Sequence, residues 1–149
     1  MNRFAVTLSI AAAFAMGCAA TYLVLPAIAA ENITAQIIHT QDHSGDALGP
    51  ANAGGMHSKL FMAADGATIA IQDGNVGKHI HPNTNEIQYI LEGTGTVWLG
   101  DKEVAVKPGD LIIIPKGTPH GGTKPDGRPL KAIAIKTPPQ APDDTKVLN

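Results

Sequence analysis

The stretch HIHPNTNEIQYILEG, residues 79–93, decides the fold of this chain. Residues i and i+2 of a β-strand point to the same side, so His79 and His81 present two imidazoles side by side. The next four residues, Pro-Asn-Thr-Asn, suit a hairpin loop that places Glu86 across from His81 on the returning strand. The pattern therefore predicts a β-hairpin with two imidazoles and one carboxylate on one face.

His120 is the fourth candidate for this group. It follows the aliphatic run 111–114 and the sequence Pro-Lys-Gly-Thr-Pro at 115–119, which turns the chain after a buried strand. A rigid turn of this kind can aim one side chain at a fixed point. Neutral imidazoles with one carboxylate suit one divalent ion of Fe, Mn, Ni, Co, Cu or Zn, and the ligand types do not select among them. The competing interpretation is that the four residues are ordinary polar residues with no metal.

Short apolar or alternating runs continue on both sides of this hairpin. Turn-forming sequences such as Asp65-Gly66, Gly100-Asp101 and Pro125-Asp126-Gly127 separate them. The predicted strands are 59–63, 68–72, 76–81, 86–92, 94–99, 103–106, 111–114 and 130–136, with a further first strand at 33–39 and a loop at 42–55. Evenly spaced short strands without a helix indicate an all-β sandwich or barrel.

Strand alternation assigns side chains to faces. If Glu86 points into the barrel, so does Gln88, which could contact the ligand residues or a substrate; an amide tied to backbone at the barrel mouth is the alternative. Ile133 and Ile135 share a face, and we expect them to line the apolar interior. Tyr89 points outward with apolar neighbours, and its need for cover by the N-terminal strand or a second subunit predicts a homodimer.

The two histidine-containing segments resemble the sequence motifs of the cupin family. The first motif is His-x-His, three or four residues, Glu, six residues and Gly; the second is Gly, five residues, Pro-x-Gly, two residues and His. The matching positions are His79, His81, Glu86 and Gly93 in the first motif and Gly109, Pro115, Gly117 and His120 in the second. Asp73 stands where the first motif opens with Gly, and Lys124 where the second closes with Asn; neither is a ligand position.

The resemblance implies a cupin-type double-stranded β-helix, a jelly-roll barrel of two antiparallel sheets, at residues 59–136. It also implies one divalent metal ion near the barrel centre, held by His79, His81, Glu86 and His120, and often a homodimer. Residues 31–58 are then an arm made of an N-terminal strand and a loop. Residues 137–149 are a proline-rich tail that is extended or disordered.

Residues 1–30 differ from the rest of the chain. Arg3 is the only charged residue before Glu31, and Ala27-Ile28-Ala29 has the small-residue pattern of a cleavage site. A signal peptide is the predicted role, which makes the protein periplasmic or secreted. An uncleaved membrane anchor is one alternative. Lipid attachment at Cys18, the single cysteine, is another, and either alternative leaves the protein attached to a membrane.

Charge and ligand types limit the partners. The formal net charge of −2, with no cluster of Lys and Arg, argues against nucleic acid and favours a small molecule as partner. One hypothesis is a metal-dependent enzyme of dioxygenase, isomerase, decarboxylase or lyase type, since all occur among cupins; no catalytic residue can be assigned. His57 could act at the cavity mouth or be an ordinary loop histidine. The other hypothesis is a non-enzymatic protein that binds a metal or a small ligand.

Overall fold

The computed structural model describes residues 33–148, which form mainly short strands. The strands are β1 (His57–Ala64), β2 (Ala67–Asp73), β3 (His79–Ile80), β4 (Asn85–Glu92), β5 (Gly95–Leu99), β6 (Lys102–Val106), β7 (Leu111–Ile114), β8 (His120–Pro125), β9 (Lys131–Thr137) and β10 (Lys146–Val147). Two short 3-10 helices, Thr40–Asp42 and Gly45–Leu48, precede them. Within these residues, no helix has the length and apolar character needed to cross a membrane. The predicted export segment 1–30, with Cys18, lies outside the described residues.

The strands form two five-stranded antiparallel sheets. The first sheet has the order β1-β2-β9-β4-β7, and the second has the order β10-β3-β8-β5-β6. Only β1-β2 and β5-β6 are hairpins within a sheet; the other pairings join strands that are distant in sequence, as in a jelly roll. This arrangement confirms the all-β, double-stranded β-helix expected from the sequence.

β4 separates the interior of the barrel from its outer surface by alternation. Ile90 is 1% exposed and packs inside with Ile112 and Ile114, whereas Tyr89 and Ile113 are 42% and 65% exposed on the outer face. The buried cluster is completed by Val97, Val106, Leu130 and Ala132. Since this core is centred on the C-terminal half of β4, the N-terminal half, which carries Glu86, borders the remaining space.

The face of β9 that points into the barrel is the opposite of the one expected. Ala132 and Ala134 are buried, whereas Ile133 is paired with Tyr89 on the outer face of the sheet, and Ile135 follows the same alternation. The prediction that Ile133 and Ile135 line the interior was therefore wrong. Alternation shows which side chains share a face but does not show which face is buried. The short alanine side chains leave open space inside the barrel, which Ala132 borders.

The predicted first strand at 33–39 is not a strand in the structure. This segment is extended, with Ile33 and Ile37 exposed, and Gln36 Nε2 donates to Phe61 O at 3.5 Å. β-branched residues favour extended backbone, but a strand also needs a partner with free backbone groups in register. Residues 33–39 have the preference for extended backbone but no neighbouring strand with which to pair.

Two observed strands were not predicted. β8 contains Gly121 and Gly122 at φ 88° and 56°, and its pairing with β5 shifts register between Thr96 and Trp98. Glycines in these conformations suggest a turn in sequence, but here they form an irregularity within a strand. β10 is two residues long and pairs with β3, which is itself shorter than the predicted 76–81.

The N-terminal arm is attached to the outer face of the first sheet by a buried lysine. Lys131 is fully buried, and its Nζ donates to Thr40 O at 2.6 Å, Ser44 Oγ at 2.8 Å and Glu92 Oε1 at 3.0 Å. Asp73 Oδ2 accepts a hydrogen bond from Gly45 N at 2.9 Å. The arm therefore covers the β1–β2 side of this face as far as Lys131 and leaves Tyr89 on β4 exposed.

Candidate metal centre

Three strands bring the four predicted ligand residues together at one end of the barrel. β3 contains His79 and is followed directly by His81, Glu86 lies near the start of β4, and His120 opens β8. His79 and His120 are directly opposite each other across β3 and β8. The predicted hairpin between His81 and Glu86 was wrong, because β3 and β4 lie in different sheets and do not pair. The chain crosses from one sheet to the other at residues 81–84, and this crossing, with the turn before His120, points all four side chains at one place.

The donor atoms of these residues converge in a buried cluster. His79 Nε2 and His81 Nε2 are 3.2 Å apart, and Glu86 Oε2 lies 3.2 Å from His81 Nε2 and 3.5 Å from His120 Nε2. All four ligand atoms lie within 4.8 Å of one another, and all four residues are buried. A group of three imidazoles and one carboxylate at these separations could hold one metal ion.

Backbone carbonyls set the orientation of all three imidazole rings. The Nδ1 atoms of His79, His81 and His120 lie 2.8, 2.7 and 2.9 Å from the carbonyl oxygens of Gly77, Asp144 and Thr118. A carbonyl oxygen can only accept, so each Nδ1 carries the proton and each Nε2 directs its lone pair into the cluster. This is the arrangement that metal-binding histidines require.

The electrostatics of the cluster favour a cation at its centre. Lone pairs of two Nε2 atoms at 3.2 Å repel each other, and an anionic carboxylate oxygen lies beside them. His120 Nε2 is buried and has no hydrogen-bond partner among residues 33–148. A buried nitrogen without a hydrogen-bond partner destabilises the fold unless a bound ion or water satisfies it. The donor atoms therefore fit a metal ion.

Glu86 is held at both carboxylate oxygens. Gln88 Nε2 donates to Oε1 at 2.8 Å, which leaves Oε2 facing the imidazoles, 3.7 Å from Lys136 Nζ. Burial alone would raise the pKa of Glu86, but the imidazoles of His120 and His81, the Lys136 ammonium and the Gln88 amide hold this pKa well below its usual range. Glu86 is thus an anion inside the barrel.

His79 is neutral at ordinary pH. The pKa of His79 is lowered to about 4, first by burial and then by the neighbouring imidazoles of His120 and His81, against the opposing effects of the Gly77 carbonyl and the Glu86 carboxylate. A neutral imidazole offers its Nε2 lone pair without first losing a proton. His79 is therefore ready to act as a ligand.

A cavity of about 310 Å³ adjoins the cluster. It is bordered by His79, His81 and Glu86, and by side chains that include Gln72, Gln88, Lys136, Gln140 and Thr145. Gln88 therefore points into the barrel as its alternation with Glu86 predicts. His57 lies at the start of β1 with Nδ1 2.8 Å from Gly49 O, and it is not among the residues that border this cavity.

Residues 138–148, which we call the strap, form part of the candidate site, although the sequence does not predict this. Asp144 O accepts the hydrogen bond from His81 Nδ1, and Asp144 Oδ1 accepts from Asn83 N at 3.0 Å and from Asn83 Nδ2 at 2.9 Å. Gln140 and Thr145 form part of the cavity wall. The prolines indicated an extended segment, but a backbone carbonyl that orients a ligand has no sequence signal.

Comparison with known proteins agrees with the observed fold. A family model described as a cupin domain matches residues 67–136. The chain is 41% identical over 70 residues to an uncharacterized protein of Methanocaldococcus jannaschii, covering 47% of this chain and 56% of that protein. It spans about half the length of the curated relatives it matches.

Solved structures share the fold at lower identity. A Klebsiella pneumoniae protein with a double-stranded β-helix domain has a TM-score of 0.61 at 15% identity, covering 78% of this chain and 99% of that one. Pac13 of Streptomyces, a nucleoside dehydratase, has a TM-score of 0.56 at 18% identity, covering 66% of this chain and 82% of that one. Residues 67–136 thus form a cupin domain, which contains a cluster of ligand residues that could hold one ion.

Proposed function

We propose that His79, His81, Glu86 and His120 bind one divalent transition metal ion, with Fe, Mn, Ni, Co, Cu and Zn all compatible with the donor atoms. The observation that carries this proposal is the Nε2 atom of His120, which is buried beside an anionic carboxylate without a hydrogen bond. The three carbonyl-bound Nδ1 atoms and the Gln88 amide support it, because they orient the donors before any ion arrives.

We further propose that the protein is a metal-dependent enzyme acting on a small organic molecule. A divalent ion at this site supplies a Lewis acid that can polarise a carbonyl or a carboxylate in the adjoining cavity. The cavity of about 310 Å³ suits a small molecule. Pac13 is a dehydratase on the same fold, but at 18% identity its reaction is not carried over to this chain.

The metal proposal is tested by elemental analysis of protein purified without added metal. We expect close to one equivalent of a single transition metal in the native protein and a large loss in His79→Ala, His81→Ala and Glu86→Ala. His57→Ala is the control, because it removes an imidazole outside the cluster, and it should keep its metal. Equal loss in His57→Ala, no loss in Glu86→Ala, or no metal even after reconstitution would overturn the assignment.

Turnover separates an enzyme from a binding protein built on the same residues. The metal-loaded protein is incubated with small organic molecules, and oxygen consumption and product formation are followed, with the His79→Ala variant as control. Conversion that depends on His79 supports the enzyme. Recovery of every bound molecule unchanged favours the binding protein instead.

We also propose that the protein is a homodimer formed through the outer face of the first sheet. Three large apolar side chains are exposed there: Tyr89, Leu111 and Ile113. A second copy of the same chain would cover them by a two-fold arrangement in which the same patch meets itself. The N-terminal arm supports this, since it covers the β1–β2 side of the face and leaves Tyr89 exposed.

Export is proposed from the sequence of residues 1–30. We infer cleavage near Ala29 or Ala30 and a periplasmic or secreted mature protein. The intact mass of the protein recovered after export tests this. A mass that begins after residue 29 or 30 supports it, whereas an uncleaved chain or a lipid on Cys18 places the protein on a membrane instead.

A further inference from the structure

Lys136 is a cation on the inner face of the barrel. It lies on β9 directly opposite Glu86 of β4, and its side chain is 15% exposed. Ala132 and Ala134, which share its face, are buried. A lysine among interior positions is unusual, because burial disfavours the charge unless a partner compensates it.

The compensation available to Lys136 comes from one carboxylate and one amide. Its Nζ lies 3.7 Å from Glu86 Oε2 and donates a hydrogen bond to Gln140 Oε1 of the strap. The Gln140 amide is itself fixed by donating to Thr145 Oγ1 at 2.5 Å. The strap therefore holds the ammonium group in the cavity rather than letting it extend into solvent.

A metal ion would compete with Lys136 for the same oxygen. Glu86 Oε2 is the atom that faces the imidazoles, and it is also the carboxylate atom that faces the ammonium. A divalent ion adds two positive charges and Lys136 adds a third, while Glu86 cancels one. Asp144, behind His81, cancels at most one more. The metal-loaded cavity is thus positively charged, and Lys136 has lost most of its counter-charge.

Other cavity residues add hydrogen-bonding groups but no further charge. Among the described residues that border the cavity, the charged side chains are Lys136 and Glu86. Apart from the imidazoles, the polar groups beside them are the amides of Asn52, Gln72, Gln88 and Gln140 and the hydroxyl of Thr145. A ligand that neutralises the cavity must therefore bring its own negative charge, and amides and a hydroxyl suit oxygen substituents on it.

We propose that the substrate is a small organic acid whose carboxylate is bound by the Lys136 ammonium. This rests on the proposed metal site and names the class of molecule that the site takes. Lysine binds a carboxylate as a point charge, so the acid's carbon skeleton is free to lie toward the amide groups of the cavity. The cavity is near the lower end of the usual range for ligand sites, which favours acids of a few carbons.

The test is a binding cycle on the metal-loaded protein that varies the ligand charge and the lysine charge together. Acetate, lactate, malonate and succinate are titrated calorimetrically, alongside acetamide, lactamide, malonamide and succinamide. The native protein is compared with Lys136→Met, which keeps the length of the side chain without its charge. Lys102→Met, at an exposed position of β6, is the control for a change in total charge.

We expect at least one carboxylate to bind the native protein about 10–100-fold more tightly than it binds Lys136→Met, as for a hydrogen bond to a charged group. The uncharged amides should bind the two proteins equally, and Lys102→Met should behave as the native protein. The metal affinity of Lys136→Met should stay the same or increase, because a competing cation has been removed. A lysine that only supports the ligand residues would lower both affinities.

The outcomes separate this inference from the metal proposal. No metal in the native protein defeats the metal proposal and this one with it. Full metal content with equal carboxylate binding in native and Lys136→Met proteins, or with no carboxylate binding at all, overturns only the role of Lys136. Loss of metal in Lys136→Met also overturns it, since Lys136 would then be a residue that positions the ligands.

Discussion

Gly121 offers a test of the metal centre at a residue that is not a ligand. An alanine Cβ there would lie 2.5 Å from Gly77 O, 3.1 Å from His79 Nδ1 and 3.2 Å from Val76 Cγ1. The 2.5 Å contact is with backbone and cannot be relieved by a rotamer change. Since Gly77 O is the acceptor for His79 Nδ1, Gly121→Ala must move the group that orients a metal ligand.

The neighbouring residue provides the matched control. Gly122 also has a positive φ of 56°, but an alanine Cβ there would meet Trp98 Cβ at 3.4 Å and Lys78 Cβ at 3.7 Å, which are ordinary contacts. Both substitutions place a side chain in left-handed backbone, which lowers the free energy of unfolding by roughly 1–2 kcal/mol each. Only Gly121→Ala also overpacks its surroundings, which lowers the free energy of unfolding by about 1–3 kcal/mol more.

We therefore expect Gly121→Ala to be less stable than Gly122→Ala and to bind metal about 10–100-fold more weakly, the effect typical of losing a group that orients a ligand. The free energy of unfolding is measured by denaturant titration with a chelator present, so that metal does not contribute. Metal affinity is measured separately by chelator competition. Equal metal affinity in two folded variants would refute the reasoning that Gly77 O sets the His79 ring.

Two further predictions concern the outer face of the first sheet. Ile113→Lys places a charge in the exposed apolar patch, so it should convert the proposed dimer to monomer in sedimentation experiments without loss of metal; a native protein that is already monomeric contradicts the proposal. Glu92 has a pKa lowered first by its hydrogen bond with Lys131, against the opposing effect of burial. Because the folded pKa lies below the usual 4.5, this stabilisation is complete above that pH and is lost as pH falls through the folded pKa, so the stability difference between native protein and Glu92→Gln should shrink on acidification; a difference independent of pH would contradict it.

Much of the site could be predicted because its signals are local. The two-residue period of strands predicts that His79 and His81 share a face, and Glu86 follows after a short crossing between the two sheets rather than across the expected hairpin. His120 was found from the turn before it and from the cupin motif. These relations hold over a few residues, and the structure brings the four side chains together as they require.

Lys136 was missed because of a specific error in reading β9. Placing Ile133 and Ile135 inside the barrel puts Lys136 outside, since residues of opposite parity point to opposite faces. The structure buries Ala132 and Ala134 instead, and the same alternation brings Lys136 into the cavity. Hydrophobicity favoured the isoleucines, but the outer face of this sheet is also apolar, so hydrophobicity could not decide between the faces.

The strap could not be predicted for a different reason. Asp144 and His81 are 63 positions apart, and the atom that matters is a backbone carbonyl, which every residue has. Only the path of the chain determines which carbonyl meets the imidazole. The same holds for β8, whose glycines resemble a turn until the strands on either side of it are in place.

The hydrogen bond between Asp144 and His81 means that the candidate site is completed late in synthesis of the chain. A ribosome synthesises all four ligand residues before it reaches the residue that fixes the ring of one of them. The barrel can therefore form its hairpins while the candidate metal centre is still incomplete. A chain that lost residues 138–148 to a protease would keep every ligand and most of its core, yet it would have an imidazole free to rotate. Metal retention thus reports whether the strap is intact.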